Sequence, residues 1–65
     1  MNDEIQDIML ALNIGGWQTM MAGGQHFVVY IARHRQTGLM LTSQAPAGHA
    51  LDAARWLAER VRRGR

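Results

Sequence analysis

The 65-residue sequence contains no cysteine, a single proline and no lysine, and its apolar runs are short. Without cysteine, disulfides cannot stabilise the fold. No apolar run approaches the roughly 18 residues that a membrane-spanning helix requires. The N-terminal stretch MNDEIQDIM is acidic, whereas a secretory signal begins with a basic segment. We therefore expect a cytoplasmic protein with no membrane association.

Motifs for catalysis, metal binding and phosphate binding are also missing from the sequence. The histidines His26, His34 and His49 show none of the paired ligand spacings that zinc sites use. Ser43 could be combined with His26 or His49 as nucleophile and base, but no element of the sequence orients them or supplies an oxyanion site. The Gly-Gly pairs lack the strand-loop-helix context of phosphate-binding loops. We expect a protein that is not an enzyme and uses no cofactor.

A chain of this length predicts one domain, residues 1–65, with a small core. Such a domain buries only about 60% of the surface that its unfolded chain exposes. The apolar fraction of 48% is ordinary for a globular protein. Because neither disulfides nor a metal site can stabilise this small core, self-association is the remaining way to stabilise it. We therefore expect a homodimer.

The stretch from Gln25 to Ala32, QHFVVYIA, carries the strongest secondary-structure signal. It is rich in β-branched and aromatic residues, and Gly23-Gly24 and Thr37-Gly38 supply turn residues on either side. This composition predicts the central strand of a small sheet, with positive φ angles at Gly23-Gly24 in the first hairpin. The two neighbouring strands and the loop that follows them are predicted at residues 17–22, 39–43 and 43–48.

Alternation along the predicted central strand gives it two apolar faces. We assign the face with Phe27, Val29 and Ile31 to the core beneath the helices. The opposite face is then open, and its Met-rich apolar surface favours binding of a partner or a second copy. The alternatives are ordinary surface apolarity or a helix wrapped onto that side. The predicted open face comprises Met20, Val28, Tyr30 and Met40.

Two amphipathic helices are predicted on either side of the strands. The first covers residues 3–12, where Ile5, Ile8, Met9 and Leu12 recur at helical spacing. The second runs from about His49 to residue 62 and has an alanine-rich apolar face. The order α-β-β-β-α predicts an α+β fold in which both helices pack on one face of a three-stranded antiparallel sheet.

This order of elements is similar to that of double-stranded-RNA-binding domains. The segments HFVVYIARHRQTGLMLTS and GHALDAARWLAERV resemble the last two strands and the second helix of that family, and the resemblance covers most of the chain. The family binds RNA through lysines that enter its second helix, and the matching positions here are Ala47, Gly48, His49 and Leu51. In size, in its solitary domain and in its lack of catalytic residues, the chain also resembles small phage-encoded inhibitors of the anti-CRISPR type.

The basic residues are all arginine, and the predicted topology gathers most of them at one end of the molecule. The second helix should end near the turn between the second and third strands, while the acidic residues collect at the opposite end. A basic end could bind phosphates or an acidic protein surface. Alternatively, these side chains only solvate a turn and a frayed terminus. The predicted basic end comprises Arg33, Arg35, Arg60, Arg62, Arg63 and Arg65.

Trp56 lies off the alanine-rich face of the second helix, one turn from Asp52 and Arg60. An exposed aromatic among arginines is typical of an interface hot spot, although it could equally cap the edge of the core. Our first interpretation is a non-enzymatic module that binds another protein, such as a phage or prophage inhibitor of a host complex. The second is a nucleic-acid-binding or regulatory protein that uses the basic end.

Overall fold

The computed structural model describes residues 3–63 and confirms the predicted α-β-β-β-α order. The strands form one open antiparallel sheet in the order β1-β2-β3, so β2 is central. A short 3-10 turn over Ala47–His49 joins the last strand to the second helix. Within residues 3–63, neither helix is long and apolar enough to cross a membrane. The elements are α1 (Asp3–Ile14), β1 (Trp17–Gly23), β2 (Phe27–His34), β3 (Met40–Pro46) and α2 (Ala50–Arg63).

Both helices pack on the same face of the sheet, as predicted for this α+β fold. Helix α1 lies against β1, while α2 lies against β2 and β3 and also contacts α1. The apolar face of α2 is fully buried at Ala53, Ala54 and Leu57. Because alanine side chains are short, this helix can approach the sheet closely. Leu12 of α1 completes the core between the helices and the sheet.

The two faces of β2 are reversed relative to the sequence prediction. Val28 and Tyr30, predicted to lie on the open face, are buried beneath the helices with only 9% and 4% of their surface exposed. Phe27, predicted to lie in the core, is 44% exposed, and Val29 and Ile31 are half-buried. The prediction that Phe27, Val29 and Ile31 form the core face is therefore wrong.

The length of β2 explains the reversal. The predicted strand ended at Ala32, but the strand continues to His34, which places Arg33 in alternation with Ile31 and Val29. A face that carries an arginine must meet water, since burying an unpaired charge is costly. Polar residues of the neighbouring strands lie on the same face, because Gln18 is opposite Arg33 in the register of the sheet. The opposite face, with Ala32 at its centre, is the one that α2 covers.

The turns also differ from the prediction. Within residues 3–63, positive φ angles occur only at Gly16 (98°) and Gly38 (77°), so the expectation for Gly23-Gly24 is wrong. Gly23 is required for a different reason, because a Cβ atom there would lie 2.7 Å from the carbonyl oxygen of Phe27. The first hairpin thus depends on close approach of two backbones rather than on a left-handed conformation.

Strand β3 is longer than expected. It runs from Met40 to Pro46 and includes residues 43–46 of the segment predicted as a loop at residues 43–48. The pairing with β2 continues until Pro46 lies opposite Phe27. Proline is tolerated there because β3 is an edge strand, in which a main-chain N–H can be missing without loss of a ladder hydrogen bond.

Candidate interaction surfaces

The face of the sheet opposite the helices is not covered by any element within residues 3–63. Alternation and strand register place apolar side chains from all three strands on this face. Met20 lies opposite Ile31, and Ala22 lies opposite Val29, so the apolar side chains are contiguous across β1 and β2. We call this surface the open sheet face, and it comprises Met20, Ala22, Phe27, Val29, Ile31 and Met40.

The open sheet face has an apolar centre and a polar margin. Met20 and Met40 are 43% and 53% exposed, and Phe27 is exposed to a similar extent. Thr42 and Gln44 of β3 border the apolar centre on one side. Among the residues that the structure describes, Arg33 is the one charged residue on this face. This arrangement is typical of a protein interface, which has an apolar core and a polar rim.

The five residues predicted as a partner or dimer surface do not form one surface. Met20 and Met40 lie on the open sheet face, but Val28 and Tyr30 lie in the core on the opposite side of the sheet. Trp56 is exposed, as predicted, but it projects from α2 beside the outer edge of β3. The prediction also missed three apolar residues of β2 that do lie on the open sheet face, namely Phe27, Val29 and Ile31. Their alternation with Arg33, a charged residue that must face solvent, could have identified them.

At the predicted basic end, two arginines donate hydrogen bonds to main-chain carbonyl groups of the chain. Arg35 donates from Nη1 to the main-chain carbonyl of Asn13 at 3.0 Å and from Nη2 to the Asn13 side-chain oxygen. It therefore caps the C-terminal end of α1. Arg60 donates from Nη1 to the main-chain carbonyl of Thr42 at 2.8 Å. Arg35 therefore links the turn after β2 to α1, and Arg60 links α2 to β3.

The remaining cations at this end differ in their partners. Arg62 and Arg63 both contact the Glu59 carboxylate, at 2.5 Å and 3.3 Å. The Arg33 side chain, on the open sheet face, makes no ion pair within residues 3–63. Arg65 lies outside the described residues. The basic end therefore has one internal carboxylate that neutralises part of its charge.

A groove of about 420 Å³ lies between α1 and the outer edge of β1. Its apolar walls come from Met9 and Leu10 of α1 and from Met21 of β1, and Leu10 and Met21 are largely exposed to solvent. Asn13 lies at one end of the groove, where Arg35 binds it. Thr19 lies along the edge of the strand. The groove therefore joins an apolar wall to an unpaired strand edge.

The side chains considered for catalysis or metal binding do not gather at one place. Ser43 is buried on the covered face of β3, whereas His26 is exposed before β2 and His49 is exposed in the 3-10 turn before α2. Nδ1 of His34 accepts a hydrogen bond from the Thr37 main chain, and its ring packs edge-on against Trp17. Within residues 3–63, there is no group of three or more metal-ligating side chains.

Comparisons of the chain with protein-family models, with curated proteins and with solved structures gave no match. The similarities to double-stranded-RNA-binding domains and to small phage-encoded inhibitors therefore stay predictions. At the positions where the RNA-binding family has lysines, Ala47, Gly48 and His49 form the exposed 3-10 turn.

Proposed function

We propose that this chain is a non-enzymatic module that binds another protein through its open sheet face. The observation that carries this proposal is the contiguous apolar surface of Met20, Phe27, Ile31 and Met40 on the side of the sheet away from both helices. Removing apolar surface from water contributes about 25 cal/mol per Å². Contiguous exposed apolar patches on small soluble proteins commonly mark binding sites.

The side chains of this face are suited to a protein partner. Met20 and Met40 are flexible and can repack against different shapes, while Phe27 is a rigid aromatic anchor. Arg33 lies at one end of the face and can pair with a carboxylate at the rim of a partner's apolar surface. The complementary partner therefore presents an apolar patch with an acidic margin.

The size of the open sheet face limits how strongly it can bind on its own. Three strands about 4.8 Å apart and about seven residues long cover a footprint of roughly 300 Å². A stable interface typically buries about 800 Å² on each partner. Self-association through this face is therefore weak, and a stable complex requires further contacts beyond the sheet face.

The alternative, a nucleic-acid-binding role, has less support from the arrangement of the cations. Phosphate binding needs arginines that are free to contact successive phosphates. Arg35 and Arg60 instead hold main-chain carbonyl groups, and Arg62 and Arg63 share the Glu59 carboxylate. Most cations at this end would have to leave an internal partner before they could bind a phosphate.

An immobilised form of the chain, exposed to a bacterial lysate with and without nuclease, tests the proposal. We expect a captured protein that nuclease treatment does not remove. Phe27→Glu should abolish its capture, because it places a charge within the apolar contact. Leu39→Glu is the matched control, since Leu39 is also an exposed apolar residue but lies in the turn after β2.

Two results would contradict the proposal. One is capture of the same protein by Phe27→Glu as efficiently as by the original chain. The other is capture that depends on intact nucleic acid. If the captured protein belongs to a host macromolecular complex whose activity falls when the chain is added, the predicted role as an inhibitor is supported as well.

A further inference from the structure

We propose that a segment of the partner adds to β1 as an extended strand, in the groove beneath α1. This inference rests on the proposed function and specifies the chemistry of the partner. Strand addition uses main-chain hydrogen bonds for affinity and side-chain pockets for specificity. Both components are present at the β1 edge.

The outward main-chain groups of β1 can be assigned from the hydrogen bonds of β2. His34 bonds through both its main-chain N–H and its carbonyl to the turn that leads into β3. Because bonding directions alternate along a strand, the groups of Ala32 also point toward β3. Thr19 lies opposite Ala32, so its own N–H and carbonyl point away from the sheet. The same alternation turns the main-chain groups of Met21 outward.

The two edges of the sheet are protected to different degrees. Natural proteins guard edge strands with charged side chains, prolines or bulges. The β3 edge has such protection, because Arg60 donates a hydrogen bond to the Thr42 carbonyl oxygen and the strand ends at a proline, Pro46. Strand β1, WQTMMAG, contains no charged residue and no proline. The unguarded edge is also the one that borders the apolar groove.

The groove admits a single strand rather than a second copy of the domain. An added strand would lie about 4.8 Å from β1. In an antiparallel edge-to-edge dimer on β1, the two α1 helices would lie on the same face of the continuous sheet, each against one of two adjacent strands. Packed helices need about 8–10 Å between their axes. An isolated extended segment avoids this clash and can insert alternate side chains between Leu10 and Met21.

The acidic residues of α1 give the added strand a direction. Helix α1 and strand β1 contain no basic residue, and Asp7 precedes Leu10 by one helical turn on α1. At the other end of the groove, Arg35 is held on Asn13. A strand antiparallel to β1 runs from the acidic end toward Arg35. The matching segment therefore has a cation on its N-terminal side, followed by alternating apolar residues.

A library of random 12-residue peptides displayed on phage provides the probe. Selection on the immobilised chain should enrich segments with that pattern, and their affinities can be measured with labelled synthetic peptides by fluorescence anisotropy. Thr19→Pro removes an outward donor but leaves the bonds to β2 intact, so binding should weaken roughly tenfold. Thr42→Pro makes the same change at the β3 edge and should leave binding within about twofold of the original value.

A second variant keeps the test decisive if Thr19→Pro does not fold. Leu10→Lys places a charge in the groove at a largely exposed position and should weaken peptide binding by roughly tenfold as well. Equal binding by the original chain and Leu10→Lys would overturn the inference, as would a selection that enriches no peptide. If the captured partner depends on Phe27 but binds Thr19→Pro and Leu10→Lys normally, the proposed function stands and strand addition is wrong.

Discussion

Arg60 of α2 donates a hydrogen bond of 2.8 Å from its Nη1 atom to the main-chain carbonyl of Thr42 on β3. This bond connects α2 to the edge strand β3, and it satisfies a carbonyl oxygen that would otherwise face solvent. An exposed strand edge is a template for pairing with another chain. Arg60 therefore has a defined structural role that differs from the phosphate-binding role suggested by the charge pattern.

Replacing Arg60 with alanine should expose the β3 edge. We expect Arg60→Ala to lower the free energy of unfolding by about 1 kcal/mol or less and to cause association that increases with concentration. Urea denaturation and sedimentation velocity measure the two effects. Arg63→Ala is the control, because Arg63 is an exposed arginine of the same helix whose ion pair, with Glu59, stays within α2. Identical sedimentation of both variants would show that Arg60 does not guard the edge.

The assignment of the sheet faces predicts opposite outcomes at adjacent positions. Val28→Asp should unfold the domain, because an unpaired carboxylate in this small core costs about 3 kcal/mol or more. Val29→Asp should retain a cooperative thermal transition, since Val29 lies on the open sheet face. Circular dichroism during heating distinguishes them. A folded Val28→Asp together with an unfolded Val29→Asp would reverse the faces.

The two glycines of the first hairpin should respond differently to alanine. Gly23→Ala brings a Cβ atom to 2.7 Å from the Phe27 carbonyl oxygen. The resulting backbone shift should cost about 1–3 kcal/mol in the free energy of unfolding. Gly24→Ala should have little effect, because no heavy atom beyond its two neighbours in the chain lies within 4 Å of the added methyl group. Chemical denaturation of both variants checks the difference, and equal stabilities would disprove the close approach at Gly23.

Self-association through the open sheet face should be weak. Its footprint of roughly 300 Å² is well below that of a stable dimer, so we expect a monomer–dimer equilibrium only at high micromolar concentration. Phe27→Glu should be monomeric throughout this range. Sedimentation equilibrium provides the measurement. A tight dimer that survives Phe27→Glu would place the dimer contact on another surface.

Much of the fold is predictable because its signals are local. The spacing of Ala53, Ala54 and Leu57 predicts the buried face of α2, and the β-branched residues of β2 predict the central strand. The face of β2 is harder to assign, because apolar residues occupy both sides. Arg33 identifies the face of β2 that meets solvent, but only if the predicted strand is extended by two residues to His34. The ends of strands are the least certain part of such a prediction.

The interaction surfaces depend on this same assignment. Met20 and Met40 are predictable from their own strands, whereas Phe27 becomes part of the surface only once β2 has its correct face. The partners of the arginines are long-range in sequence and leave no periodic signal. The bond from Arg35 to Asn13, for example, spans 22 residues. Such contacts can be recognised only in the folded structure.

Methionine methyl signals in nuclear magnetic resonance spectra test the central claim most directly. The chain has five methionines. Met40 lies on the open sheet face away from the groove beneath α1, Met20 lies on that face and also borders the groove, and Met9 and Met21 line the groove. On addition of the purified protein recovered by capture, we predict that the Met20 and Met40 signals shift or broaden. If both signals remain unchanged at saturating partner, the open sheet face is not the binding surface and the proposed function is wrong.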